Sequence, residues 1–160
     1  MAYLLDANVF LQAKNLHYGF DFCPAFWDWL KTSNSQGAVF SIEKVKAELT
    51  DDDVVVWAAQ YSDEFFLAPD AEVSAALATV SQWVTSRTFE PAAINTFLQV
   101  ADYYLVAHAL AKGYSVVTHE VPANSVKKIK IPNVCIGLGI KCVTPFEMLR
   151  VERARFVLGP

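Results

Sequence analysis

Few of the devices that mark a secreted, membrane-bound or covalently catalytic protein occur in these 160 residues. The three cysteines, Cys23, Cys135 and Cys142, are too few and too widely spaced for a disulfide framework, and none forms the CxxC pair of a zinc site. They read as reduced thiols, mostly in the core of a cytoplasmic protein. No run approaches the roughly 18 apolar residues of a membrane span, so no membrane partner is expected. The opening MAYLLDANVF lacks the basic start and long apolar stretch of a secretory signal. A serine-hydrolase G-x-S-x-G is missing, and no cysteine has a base suggested beside it. Positive charge is not in excess either. Seventeen acids face 13 Lys and Arg, a net charge of −4, which argues against holding nucleic acid by bulk charge alone. Repeats, low-complexity segments and linkers are absent, so residues 1–160 read as one domain with a sizeable core.

What the chain does have is apolar residues, 54% of the total, arranged in short strand-like runs between amphipathic helices. Tyr3 to Leu5 reads as a buried strand and Ala7 to Ala13 as the helix after it. PAFWDWLK (24–31) predicts a helix with proline in its first turn, and its aromatics at helical spacing favour core packing over an exposed interaction surface. Gly37 to Ser41 predicts a second strand, Ser41 then capping a helix over Ile42 to Thr50. Asp51-Asp52-Asp53 reads as the capped start of the next helix. Helices are expected over 71–84 and, longest of all, over 97–111, where Gly113 stops the helix. Tyr114 to Thr118 and Val134 to Ile136 predict the third and fourth strands, and Pro145 to Arg155 a terminal helix. Strands alternating with helices predict an α/β fold, a mainly parallel sheet with helices on both faces. Ligands of such sheets sit outside the carboxyl ends of the strands.

Four acids stand out against that background. Asp6 ends the first strand, and Glu120 lies two residues past the third. Asp102 interrupts an otherwise apolar helix face made by Leu98, Leu105, Val106 and Ala109. A buried carboxylate there must be neutral, hydrogen-bonded or bound to a cation; a place near the helix start, satisfying free N–H groups, is the structural alternative. Glu48 sits in the last turn of its helix, against the dipole. Hard oxygen ligands without His or Cys partners select Mg²⁺ or Mn²⁺, and four carboxylates together repel one another unless a divalent cation binds. With four acids so engaged, the other 13 balance the 13 bases.

The ordered set resembles the PIN domain, a metal-dependent nuclease fold found in the toxins of toxin–antitoxin pairs and in RNA-processing enzymes. YLLDANVF is similar to its first motif, VKAEL to its second, and ADYYLVAHALAKGYSVVTHE to its joined third and fourth. The resemblance covers about residues 2 to 150 and is nearest to a PIN-like subfamily with little assigned function, which shares FCPAFWDWL, IPNVC and VTPFEML. It implies a three-layer α/β/α sandwich around a mainly parallel sheet of about four to five strands. It also implies a Mg²⁺- or Mn²⁺-dependent endoribonuclease in which Asp6, Glu48, Asp102 and Glu120 hold the metal. Asn8, Thr118 and Lys14 would support the ligands or meet substrate. RNA is the implied substrate, an antitoxin protein the implied partner and a homodimer the implied assembly. Glu120 is the departure, since the family more often has Asp there.

Two rivals follow from the same residues. A haloacid-dehalogenase-type phosphatase also begins with Asp after an apolar strand, but needs a second Asp where this chain has Asn8. A catalytically silent PIN-like module that binds RNA or protein keeps the fold without the chemistry. His119 is expected to face solvent, while His17 and His108 have no partners that spacing can name. Lys127, Lys128 and Lys130 read either as a solvated loop or as one wall of a nucleic-acid groove.

Overall fold

Tyr3, Leu4 and Leu5 form β1 (Tyr3–Leu5), buried at all three positions, as a strand covered on both faces must be. In the computed structural model, which describes residues 1–159, β1 is the middle of a five-stranded parallel sheet in the order β3-β2-β1-β4-β5. The other strands are β2 (Val39–Ile42), β3 (Phe66–Leu67), β4 (Ser115–Val117) and β5 (Cys142–Val143). Tyr3 pairs with Val39 on one side and with Ser115 on the other. Helices flank the sheet to give the expected three-layer α/β/α sandwich. They are α1 (Ala7–Gln12), α2 (Pro24–Ser35), α3 (Glu43–Glu48), α4 (Asp52–Ala58), α5 (Ala71–Thr85), α6 (Pro91–Phe97), α7 (Ala101–Lys112), α8 (Ile131–Leu138) and α9 (Pro145–Val151). A π-helical turn, Ala13–His17, continues α1. Among the described residues no helix is long and apolar enough to cross a membrane.

α5, α7 and α8 pack on one another, and α7 also lies against β2 and β4. An aromatic core joins the other elements. Phe26 and Trp27 are buried, the Tyr18 ring stacks on Phe26 at 4.5 Å and the Phe20 ring on Trp27 at 4.0 Å. The aromatic segment is therefore core, with Phe22 left exposed. Asp51 caps α4 as expected, accepting the N–H groups of Asp53 and Val54.

Three expectations change. Val134 to Ile136 is helix, not strand. Pro132 lies in the first turn of α8 and Gly139 closes it in the left-handed conformation at φ 69°, while β5 comes later and is two residues long. The single helix over 97–111 is two, broken at residues 98–100, so Asp102 falls in the first turn of α7. Ser41 does not cap α3; it is buried in β2 and donates its hydroxyl to Leu5 O at 2.7 Å. Two-residue β3 has no counterpart in the sequence reading.

Candidate functional site

The strand order creates the crevice. The chain runs from β1 to β2 and β3 on one side, then crosses back to β4 and β5 on the other. The two halves diverge at the carboxyl ends of β1 and β4, the point where open α/β sheets collect ligands. Asp6 follows β1 directly, its N–H donating to Val117 O at 3.0 Å, and Thr118 follows β4.

These two residues are locked together. Asp6 Oδ1 accepts the Ala7 N–H at 2.8 Å, which caps α1, and Asp6 Oδ2 accepts the Thr118 hydroxyl at 2.8 Å. Thr118 Oγ1 in turn accepts from Asn8 Nδ2 and from the Glu120 N–H, each at 3.1 Å. Asn8 Oδ1 accepts the His119 N–H at 3.1 Å. Asp6 is the cap of α1, and the Asn8 amide braces the turn after β4. Burial pushes the Asp6 carboxyl up to about 6, with Glu120 and Glu48 adding to the rise and the Thr118 and Ala7 donors opposing it.

Glu48 and Glu120 reach the same place by capping helices that are distant in sequence. Glu48 Oε1 accepts the Ala101 N–H at 2.9 Å, at the start of α7. Glu120 Oε2 accepts the Ile131 N–H at 2.9 Å, at the start of α8. Favourable charge at helix N-termini is an ordinary structural role for a carboxylate, and it accounts for one oxygen each of Asp6, Glu48 and Glu120. It does not account for Asp102, which accepts no hydrogen bond from any described residue although it lies in the first turn of α7. The Asp102 carboxyl is pushed up to about 7, first by burial, then by Asp6, Glu120 and Glu48, with Lys128 acting the other way.

Glu48, Asp102 and Glu120 line a cleft of about 500 Å³ together with Phe97, Ala93 and Ile129 and with Lys127 and Lys128. A larger hollow of about 680 Å³ opens beside Lys14, Asp53 and Trp57 and contains none of the four acids. Lys14 belongs there. Its ammonium pairs with Asp51 at 2.9 Å and Asp53 at 3.7 Å, so its predicted place at the acid site is not where the fold puts it.

All donors at the site are oxygens, and their mutual repulsion suits a hard divalent cation. Among the described residues, however, no three His, Cys, Asp or Glu side chains are placed to hold a metal ion as they stand. A small, strongly hydrated ion such as Mg²⁺ needs less, because it is commonly held through one or two carboxylates and keeps its waters.

A family model described as a domain of unknown function, DUF4411, matches residues 3–156. The chain belongs to this family. Neither the curated proteins nor the solved structures compared with it include a match. The DUF4411 match runs from β1 past α9, so the whole sheet and all four acids lie within the family's boundaries.

The DUF4411 fold also assembles an aromatic group that sequence spacing concealed. His119 is half-buried rather than solvent-facing. Its ring stacks on His17 at 5.6 Å and meets Phe146 at 5.7 Å, while His17 meets Phe146 edge-on at 5.0 Å. Burial and the neighbouring His17 lower the His119 pKa. His108 is buried on α7 with Nδ1 unpartnered, and burial pulls it down to about 4. Cys135 of α8 and Cys142 of β5 are both free thiols, and the neighbouring Cys135 holds the Cys142 thiol below its ordinary range.

Proposed function

We propose that this DUF4411 chain is a metal-dependent ribonuclease with a PIN-like acid site, using Mg²⁺ or Mn²⁺ to hydrolyse RNA phosphodiester bonds. The observation that carries the reading is Asp102, a carboxyl without a hydrogen-bond donor, which shares a cleft with Glu48 and Glu120 and is raised to about 7 by burial and by the charges of Asp6, Glu120 and Glu48. Such a group is costly unless a cation offsets it. Asp6 and Asp102 would be the principal ligands, with Glu48 and Glu120 acting directly or through water. A divalent cation there supplies Lewis acidity to a phosphate and lowers the pKa of a bound water that attacks it.

The chain's own groups position that chemistry. The Ala7 N–H and Thr118 hydroxyl fix both Asp6 oxygens in one orientation, and Asn8 fixes Thr118. Glu48 and Glu120 each anchor one oxygen on a backbone N–H, leaving the other available for a metal or its water shell. In this reading the setting is the cytoplasmic toxin–antitoxin pair of PIN-like nucleases, with self-association as a homodimer and an antitoxin as the inhibiting partner.

The test is cleavage of end-labelled single-stranded RNA with Mn²⁺, wild type against Asp102→Asn. Wild type is expected to cleave and the variant to lose at least about 100-fold in rate, several kcal/mol of charge stabilisation. Equal rates, or no cleavage by wild type, favour the silent binding module.

A further inference from the structure

The loop between β4 and α8 (residues 118–130) carries three lysines in a chain whose net charge is −4, and two of them, Lys127 and Lys128, face the acid cleft. The loop is pinned on both sides of the pair. Glu90 donates its N–H to Val126 O at 2.8 Å, tying the loop to the start of α6. Ile129, immediately after Lys128, is 4% exposed and Ile131 is fully buried. The backbone between two such anchors is fixed, so Lys127 and Lys128 are rooted at the rim of the cleft. Both are exposed, and no ion pair engages either among the described residues, whereas Lys14 and Lys112 are each paired with two acids.

An unpaired pair of ammonium groups beside three carboxylates cannot serve to neutralise the acids by contact, since neither forms a salt bridge with them. It can serve a ligand that brings both a metal-seeking oxygen and a second negative charge one unit along. A phosphodiester chain has that form: one phosphate at the acids and the next at the lysines. Ala92, Thr96 and Val100, which line the same cleft and are not buried, leave room for the sugar and base between them.

We propose that Lys127 and Lys128 are the phosphate-gripping residues of the site, contacting the RNA phosphate adjacent to the one at the acids and so fixing the path of the strand through the cleft. The proposal rests on the nuclease reading for which phosphate lies at the acids. The grip itself is a binding property that exists whether or not the bond is cut.

The experiment is fluorescence anisotropy of a labelled single-stranded RNA oligomer in the full chain carrying Asp102→Asn, with Mn²⁺, between 50 and 200 mM salt. Each single-strand phosphate contact contributes about 0.7 to the slope of log affinity on log salt. Lys127→Gln with Lys128→Gln is therefore expected to lower the slope by about 1.4, so that the affinity lost across this fourfold salt range shrinks by about sevenfold. Lys127→Arg with Lys128→Arg should keep the slope, and so should Lys31→Gln on α2, away from the cleft. The proposal is overturned if the double Gln variant keeps the slope and affinity of its parent, or if the parent does not bind the oligomer. RNA binding with the lysine-dependent slope but no wild-type cleavage would sink the nuclease reading and leave the grip standing. Cleavage with a lysine-independent slope would do the reverse.

Discussion

Thr118 Oγ1 takes part in three hydrogen bonds, donating to Asp6 and accepting from Asn8 and from the Glu120 N–H. A hydroxyl has one proton and two lone pairs, so its capacity is fully used at a position that is 1% exposed. Thr118→Val keeps the shape and leaves two donors and a carboxylate oxygen unsatisfied. It is expected to lower the unfolding free energy by about 2 kcal/mol in urea titration, while Thr118→Ser restores most of it. The titrating residues make a second expectation. Asp6 and Asp102, at about 6 and 7 against an ordinary 3.8, bind protons more tightly folded than unfolded. Their stabilisation is full below the unfolded value and is lost as pH rises through 6 and 7. His108, lowered from 6.5 to about 4, works in the opposite sense below 6.5. The clean window is therefore above 6.5, where Asp102 acts without His108. Melting temperature of the metal-free protein is expected to fall from pH 6.5 to 8, with Asp102→Asn flattening the curve and Mn²⁺ restoring wild type. Asp6 as a strand-end acid was legible in YLLDANVF; its partnership with Thr118 was not, because hydrogen bonding across 112 residues leaves no local periodicity.

Among the elements, three of the four acids double as caps, of α1, α7 and α8. Capping and cation binding are separable, because a Gln carbonyl still accepts an N–H but carries no charge. Glu48→Gln and Glu120→Gln are expected to stay within about 1 kcal/mol of wild-type stability and to lose Mn²⁺ affinity. Loss of stability without loss of affinity would make them caps only. Helix α8 supplies another test. A Cβ on Gly137 would run into the Trp83 ring of α5, so Gly137→Ala should push the two helices apart and cost about 1–3 kcal/mol in thermal unfolding. The same helix shows why one element was misread. Val134-Cys-Ile is apolar with two β-branched residues, and three such positions fit a buried strand as well as a helix. The wider spacing settles it: Ile131, Val134 and Cys135 are buried and Ile136 is exposed, a helical pattern behind a proline start. The break between α6 and α7 was hidden differently. Leu98 to Val100 carry neither Pro nor Gly, and the acceptor for the new start at Ala101 is Glu48, which comes from another element.

At the scale of the whole molecule, the alternation of apolar runs with amphipathic helices was enough to give the parallel α/β architecture, while the strand order required the pairing of β1 between β2 and β4. That order brings Asp6, Glu48, Asp102 and Glu120, spread over 115 positions of the 160-residue chain, to one crevice. Lys14, near Asp6 in sequence, is carried away by the π-helical turn to the acids before α4. Calorimetric titration of the metal-free protein with Mn²⁺ at pH 7.5, alongside Asp102→Asn, tests directly whether the four acids form one cation site. A shared site gives saturable binding by wild type and at least tenfold weaker binding by the variant, on the scale that loss of a supporting group imposes on metal affinity. Absence of binding heat in wild type, or equal affinity in the two proteins, would contradict it.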